Sequence, residues 1–441
     1  MRDGATHPLL PVLATLNKHN AERDFHRLFK RAYGLRLEPY FVEFDLLDPD
    51  DLVTVRKEKN ATIPMHEMLW HVWADPGRRG MCLFGTEGVR GVCDWWLHAR
   101  QTPNWASHPA GDDAVPLLCF ADGAEVFKTK EYEFFLWHSL LSQLGHGTRI
   151  WDMVWLNFLV PSKRIPHKPT FYTAAMKYVA WQARVVLSGR FPREGFYGEA
   201  FPEKSWRALQ GERNASLPPA AVVGWHGDCK ARAEMNMFSS HFNKTSTCDC
   251  CLAQGTTADA APALSFANLR EDAPWRSSII DHAGFVDMCS RARVPLPPLL
   301  DIPRVRKESL FFDIAHVKYM GVHRTLIASV LVFLSETGML VSWCNRVADL
   351  HRRSAWPHHE LSQTDAGMDA ALKEAYSNYR AWCRTNRKES VTKNLFSLSR
   401  LGRKNAESYP CVPGWVKAMH LKTLAAWLGG FVREVCRTPE P

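Results

Sequence analysis

The sequence predicts an α/β protein: a mixed sheet flanked by helices, with a cysteine-containing insertion and helical additions at the N- and C-terminal ends. Three observations carry that prediction. Short apolar runs that stop at turn residues fall in the middle third of the chain. Segments with apolar residues at helical spacing lie before and after them. A Cys-x-Cys-Cys run, Cys248 to Cys251, follows the last of those apolar runs.

Taken in order, residues 1–110 read as a helical N-terminal region. Residues 20–33 are charged and amphipathic, and Ile63 to Trp73 sets apolar residues at helical spacing. Gln101 to Asp113, with Pro103, Pro109 and Gly111, reads as a linker. Residues 111–245 read as the sheet-bearing core. Ala114 to Ala121 has the pattern of a buried strand and ends in Asp122-Gly123; Ile150 to Val160 is another, stopped by Pro161. Phe171 to Leu187 reads as a long helix ending near Ser188-Gly189, and residues 191–219 as a loop excursion. Ala220 to Gly227 is again apolar and meets Asp228, with a helix expected from Ala231 to Phe238. Residues 246–305 hold the cysteine cluster. Residues 306–441 read as helical, over Ser309 to Leu334, Trp343 to Arg387, and Trp415 to Cys436 with an interruption near Gly429-Gly430.

Composition bounds the function. The chain has 441 residues, 46% hydrophobic and 23% charged, which excludes wholesale disorder or a fibrous repeat and predicts two or three folded units. A net charge of +9 permits a polyanionic partner without demanding one. Twelve cysteines are too sparse for a secreted disulfide scaffold, and Cys82, Cys119 and Cys344 sit inside apolar runs, so a reducing compartment is expected. The N-terminus lacks a signal-peptide layout. The longest apolar stretch, Leu326 to Leu334, falls far short of a bilayer span, so a soluble chain with no membrane partner is expected.

Four constellations carry chemistry. Asp122 and Asp228 each follow a strand-like run. Two such carboxylates on neighbouring strands can hold Mg²⁺ or Mn²⁺ for in-line phosphoryl displacement, although a single Asp there is ordinarily a turn residue. Cys248 and Cys251 have the spacing of a zinc half-site. A full site needs two further ligands, for which Cys289, His282 and His241 are within reach in sequence; three metal-free thiols are the competing reading. Asp313 and His316 share one face if helical, which capping or packing explains as well as ligation. Arg384, Arg387, Lys388, Lys393, Arg400, Arg403 and Lys404 form the most basic stretch, opposed by Glu389 alone; phosphate neutralisation and a solvated loop face both account for it.

Together these pieces resemble the CACTA-type (En/Spm-like) transposases. Phe120-Ala121-Asp122-Gly123 resembles the first acidic motif of that family, and Trp155 to Pro161 the strand that follows. Val222 to Asp228, with Lys230-Ala231-Arg232, resembles the second acidic strand and its helix. Cys248-Asp249-Cys250-Cys251 and Asp313-Ile314-Ala315-His316 stand where the family carries a cysteine cluster and an Asp-x-x-His segment. The resemblance spans roughly residues 110–340. It implies a ribonuclease-H-like catalytic fold and two-metal cleavage and transfer of DNA strands, with Asp122 and Asp228 as metal-holding acids. It also implies DNA as partner and a nuclear location, and leaves homo-oligomerisation open. Structural Zn²⁺ would be held by Cys248 and Cys251 with His282 and His316. One departure matters: the third acid of the family is a Glu on a late helix, and here His420 stands in its place. A neutral imidazole does not supply the negative charge that two Mg²⁺ ions want. The alternative is therefore a catalytically inactive nucleic-acid-binding or interaction protein descended from a transposase.

Overall fold

The computed structural model describes residues 38–437 except 104, 128–129, 143–153, 228, 237, 239–244, 247, 256–260, 267, 269, 303, 313–317, 320–321, 341–363, 392–394, 404 and 406–409. The expected helix over residues 20–33 lies outside them. The chain divides into two compact units, Met1–Phe311 and Phe312–Pro441.

Among the described residues the first unit opens with a hairpin, β1 (Tyr40–Leu47) against antiparallel β2 (Val55–Thr62), in a region expected to be helical. The reason is a period of two. Tyr40, Val42, Phe44 and Leu46 point inward, while Glu43 and Asp45 stand outward opposite Lys59 and Lys57. Helix α1 (Met65–Ala74) follows, then a short α2 (Pro76–Arg79) and α3 (Gly88–Ala99). These elements share one core with the sheet beyond them, from Tyr40 to Leu310. The expected boundary near residue 110 is therefore not a break between cores.

The main sheet holds β3 (Val115–Phe127), β4 (Lys130–Ser139), β5 (Trp155–Pro161), β6 (Ala220–Gly227) and β7 (Leu310–Phe312). Its spatial order is β5-β4-β3-β6-β7. β3, β4 and β5 form an antiparallel meander, and β6 joins β3 in parallel. Helix α4 (Lys168–Ser188) makes the crossover from β5 towards β6 and ends at Gly189, whose φ of 67° is the left-handed cap that glycine tolerates best. Helix α5 (Trp206–Glu212) occupies part of the expected loop excursion, and α6 (Cys229–Met235) follows β6 directly. The chain is thus α/β, with a five-stranded mixed sheet and flanking helices.

One face of the sheet packs on α4. Phe135 of β4 stacks on Phe158 of β5 at 4.3 Å, and Phe158 meets Tyr178 of α4 at 6.2 Å. The first hairpin joins this layer through Phe44, 5.0 Å from Phe171, and through Tyr40, stacked on Tyr178 at 6.0 Å. Two buried amides fix the register between layers. Gln182 and Asn157 donate to each other's side-chain oxygens at 3.0 and 2.8 Å; Asn157 also donates to Ile63 O, and Gln182 accepts from Met65 N. Each buried polar atom there has its partner, which avoids a desolvation cost of about 1–3 kcal/mol apiece.

A cysteine-bearing segment and α7 (His282–Ala292) lead to β7. In the second unit, α8 (His323–Glu336), α9 (Asp365–Thr385) and α10 (Ala418–Arg437) enclose a separate core. At its centre Phe396 lies 5.9 Å from Tyr379 and 5.7 Å from Trp427. Helix α10 runs unbroken through Gly429 and Gly430, where a break was expected. Among the described residues no helix is long and apolar enough to cross a membrane.

Candidate functional site

Asp122 lies within β3 rather than at its end. The strand was expected to stop at Asp122, but it continues to Phe127 because β4 pairs with it from Leu117 onwards, with a register shift between Glu125 and Phe127. Its parallel pairing with β6 ends earlier, at Phe120 opposite His226. Asp122 thus occupies the first stretch of β3 that has β4 on one side and no β6 on the other. Its Oδ1 accepts the N–H of Gly123 at 2.8 Å.

A cleft of about 80 Å³ opens there, lined by Asp122, Glu131, Glu133, Lys168, Lys230 and Glu234, with Gly123, Tyr172 and Ala231 between them. Glu131 and Glu133 are two positions apart on β4 and so share a face. Gly123 lets them close over β3: a Cβ there would stand 3.2 Å from Glu131 Oε1 and 3.3 Å from Glu133 Oε2. Lys230 and Glu234 are one helical turn apart on α6. Lys168, at the start of α4, donates to Glu133 Oε1 and Glu234 Oε2, each at 3.2 Å. Glu133 is almost fully buried, so this ammonium is the counter-charge that makes its burial tolerable. Burial lowers the Lys168 pKa, but the two carboxylates outweigh it and hold the ammonium above its ordinary range. Tyr172 donates to Glu234 at 3.3 Å, and burial with the two glutamates pushes its phenol up.

The donor set is one of hard oxygens, which suits Mg²⁺ or Mn²⁺. Among the described residues, no three carboxylates of the cleft bring their oxygens within 4.8 Å of one another; the group that meets that distance is Cys248, Asp249 and Cys250. Lys168 already neutralises part of the cleft. Asp228, the second predicted acid, lies outside the described residues.

On the face of the sheet away from Glu131 and Glu133, the one that Asp122 shares with Phe120 by strand alternation, His138 of β4 and His226 of β6 meet above β3, Nε2 to Nε2, at 2.9 Å. His138 Nδ1 is 3.0 Å from the carbonyl of Ser139, to which it donates, leaving Nε2 to accept from His226. Burial holds His138 below the ordinary histidine range.

The other predicted residues fall as follows. Cys248 is half-buried and Cys251 buried on the turn after α6. His282 begins α7, and its Nδ1 accepts the backbone N–H of Lys307 at 3.2 Å, so that nitrogen is engaged by the backbone rather than by the cysteines. His316 and Asp313 lie outside the described residues, as does His241. In the second unit His420 stands on α10 with its Nε2 3.9 Å from Glu389. Arg384, Arg387, Lys388 and Arg400 are exposed, Arg403 is paired with Glu336, and Lys393 and Lys404 lie outside the described residues.

Sequence reasoning missed Glu131, Glu133, Lys168, Lys230 and Glu234. Two signals could have found four of them: the alternation Glu131-Tyr132-Glu133-Phe134 opposite the Asp-Gly strand, and the Lys230/Glu234 spacing on the helix after β6; no sequence signal points to Lys168. Comparison of the chain with protein-family models, curated proteins and solved structures finds no match.

Proposed function

We propose that the chain is a transposase-derived protein with a ribonuclease-H-like core that acts on DNA. The observation that carries this reading is the register of two adjacent parallel strands. Phe120 of β3 is opposite His226 of β6, and each predicted acid, Asp122 and Asp228, comes two positions later in sequence. The architecture is compatible with it: a five-stranded mixed sheet in the order β5-β4-β3-β6-β7, with the long helix α4 between β5 and β6.

In this reading Asp122 and Asp228 would hold Mg²⁺ or Mn²⁺, which supplies charge to the attacking and leaving oxygens of a phosphodiester. The protein's own part is positional. Gly123 lets Glu131 and Glu133 approach over β3, and Lys168 holds Glu133 and Glu234 in place. Arg384, Arg387 and Lys388 present cations for DNA phosphates. The test is a cleavage assay on DNA ends with Mg²⁺ or Mn²⁺, comparing the wild type with Asp122→Ala and Asp228→Ala. Metal-dependent nicking lost in both variants is expected. Nicking that persists in both would sink the active-site assignment.

A second reading, a DNA-binding descendant without cleavage, is favoured by two particular observations. Lys168 places a cation between Glu133 and Glu234 in the acidic cleft, and the position that the resemblance gives to the third acid holds a histidine, His420. DNA binding that survives both Asp variants, with no nicking by the wild type, selects this reading.

A further inference from the structure

We propose that His138 and His226 form a two-imidazole site for a borderline divalent metal ion, Zn²⁺ foremost, on the sheet face that carries Phe120. The sheet itself sets the pair. His138 of β4 stands opposite Leu118, and His226 of β6 opposite Phe120. The two side chains therefore rise from the strands on either side of β3 and meet across it. Both are half-buried. Their Nε2 atoms are 2.9 Å apart while the ring centroids are 5.2 Å apart, so each nitrogen points at the other rather than past it. Phe120, 4.8 Å from His226 and 5.9 Å from Phe134, gives the pair an apolar border.

The tautomer of His138 suits a ligand. Its Nδ1 donates to the carbonyl of Ser139 at 3.0 Å, which leaves a lone pair on Nε2. A ring held through its other nitrogen by a backbone carbonyl is the usual support of a metal-binding histidine. His226 supplies the hydrogen of the present contact. To bind as well, it transfers that proton from Nε2 to its own Nδ1 by exchange with water, so the charge of the ring does not change. Two imidazole nitrogens on one tetrahedral Zn²⁺, each about 2.0–2.1 Å from it, lie roughly 3.3 Å apart, with each ring turned ~35° from the line between them. The pair reaches that geometry by opening slightly and turning about χ2, a broad torsion in histidine. Among the described residues no third His, Cys, Asp or Glu ligand atom lies within 4.8 Å of both nitrogens, so water fills the remaining positions. Imidazole suits Zn²⁺, Ni²⁺ and Cu²⁺ and discriminates against the hard cations that fit the carboxylate cleft. The site stands whether or not the chain cleaves DNA.

The test has to be resolved by residue, because thiols elsewhere in the chain also have an affinity for zinc. The full-length, reduced protein is treated with diethyl pyrocarbonate, and acylation of each histidine is read by peptide mass. Zn²⁺ at about ten times its dissociation constant should slow modification of His138 and His226 together by about 10-fold, in proportion to the fraction of sites left empty. Mg²⁺ should give no protection, and the exposed His98 and His167 should react at unchanged rates. His138→Gln should remove the protection of His226, and His226→Gln that of His138, because the chelate needs both rings. Melting curves give a second readout that does not depend on how fast the half-buried rings react: Zn²⁺ should raise the Tm of the wild type by more than that of either variant. Equal zinc-induced shifts in all three proteins would overturn the proposal. So would zinc protection of one histidine that survives loss of the other, or equal protection by Mg²⁺.

Discussion

His66 shows what a single buried imidazole imposes on the molecule. It sits in α1, edge-on to Trp181 at 5.6 Å and to Phe191 at 5.9 Å, and among the described residues its Nδ1 finds no hydrogen-bond partner. Burial, reinforced by the Arg207 guanidinium, pushes its pKa down to about 3. Such a group takes up a proton on unfolding, so its contribution to stability is present above pH ~6.5 and is lost as pH falls towards 3, by up to ~1.4 kcal/mol per unit. Glu67 beside it shifts in the opposite sense, raised by burial against the pull of Arg207, so a variant is needed to isolate the histidine. His66→Phe should gain stability relative to wild type as pH is lowered from 7.5 to 5. Urea midpoints at the two pH values check this, and a gain that does not grow on acidification would remove His66 as the cause. The cleft is subject to the same logic at residue scale: Lys168 makes the burial of Glu133 possible while holding the place of a cation.

The main sheet depends on close approach as much as on hydrophobic pattern. At Gly224 of β6 a Cβ would meet Ser309 O at 2.5 Å and Phe311 Cε2 at 2.4 Å. The first of these is backbone and cannot swing aside. Gly224→Ala should therefore cost ~1–3 kcal/mol and loosen β7 from β6, read as a lower denaturation midpoint and faster amide exchange at residues 310–312. An unchanged midpoint would show that β7 contributes nothing to the sheet. The legibility of the elements follows from the same physics. β6 was evident because it is buried along nearly its whole length and so is apolar, and α4 because most of Phe171 to Val186 is buried and apolar, with Lys177 and Arg184 as its exposed charges. β1 and β2 were not, because their outward face carries Glu43, Asp45, Lys57 and Lys59, which read as a charged helix surface until cross-strand pairing is known. β4 was hidden for a related reason: near its start Glu131 and Glu133 are polar because they line the cleft. Asp122 was found from its apolar strand, while its acidic neighbours come from distant strands and helices that only folding assembles.

At the scale of the chain, two cores correspond to two units. The second draws all its members from Ile327 to Phe431, including residues from each of α8, α9 and α10. Residues 312–441 expressed alone should give a helical, cooperatively melting protein. A broad, non-cooperative transition would show that this core is not self-sufficient. The first unit is put together differently. Its last strand, β7, is separated from its neighbour β6 by residues 228–309, the stretch that carries the cysteine turn. During synthesis the ribosome releases β3 to β6 well before β7, and over that interval the nascent sheet presents β6 with an unpaired backbone, a template for association with other chains. A transcript or protease product ending before residue 310 would be left in that exposed condition, so solubility of truncated forms should change abruptly once that terminal strand is included.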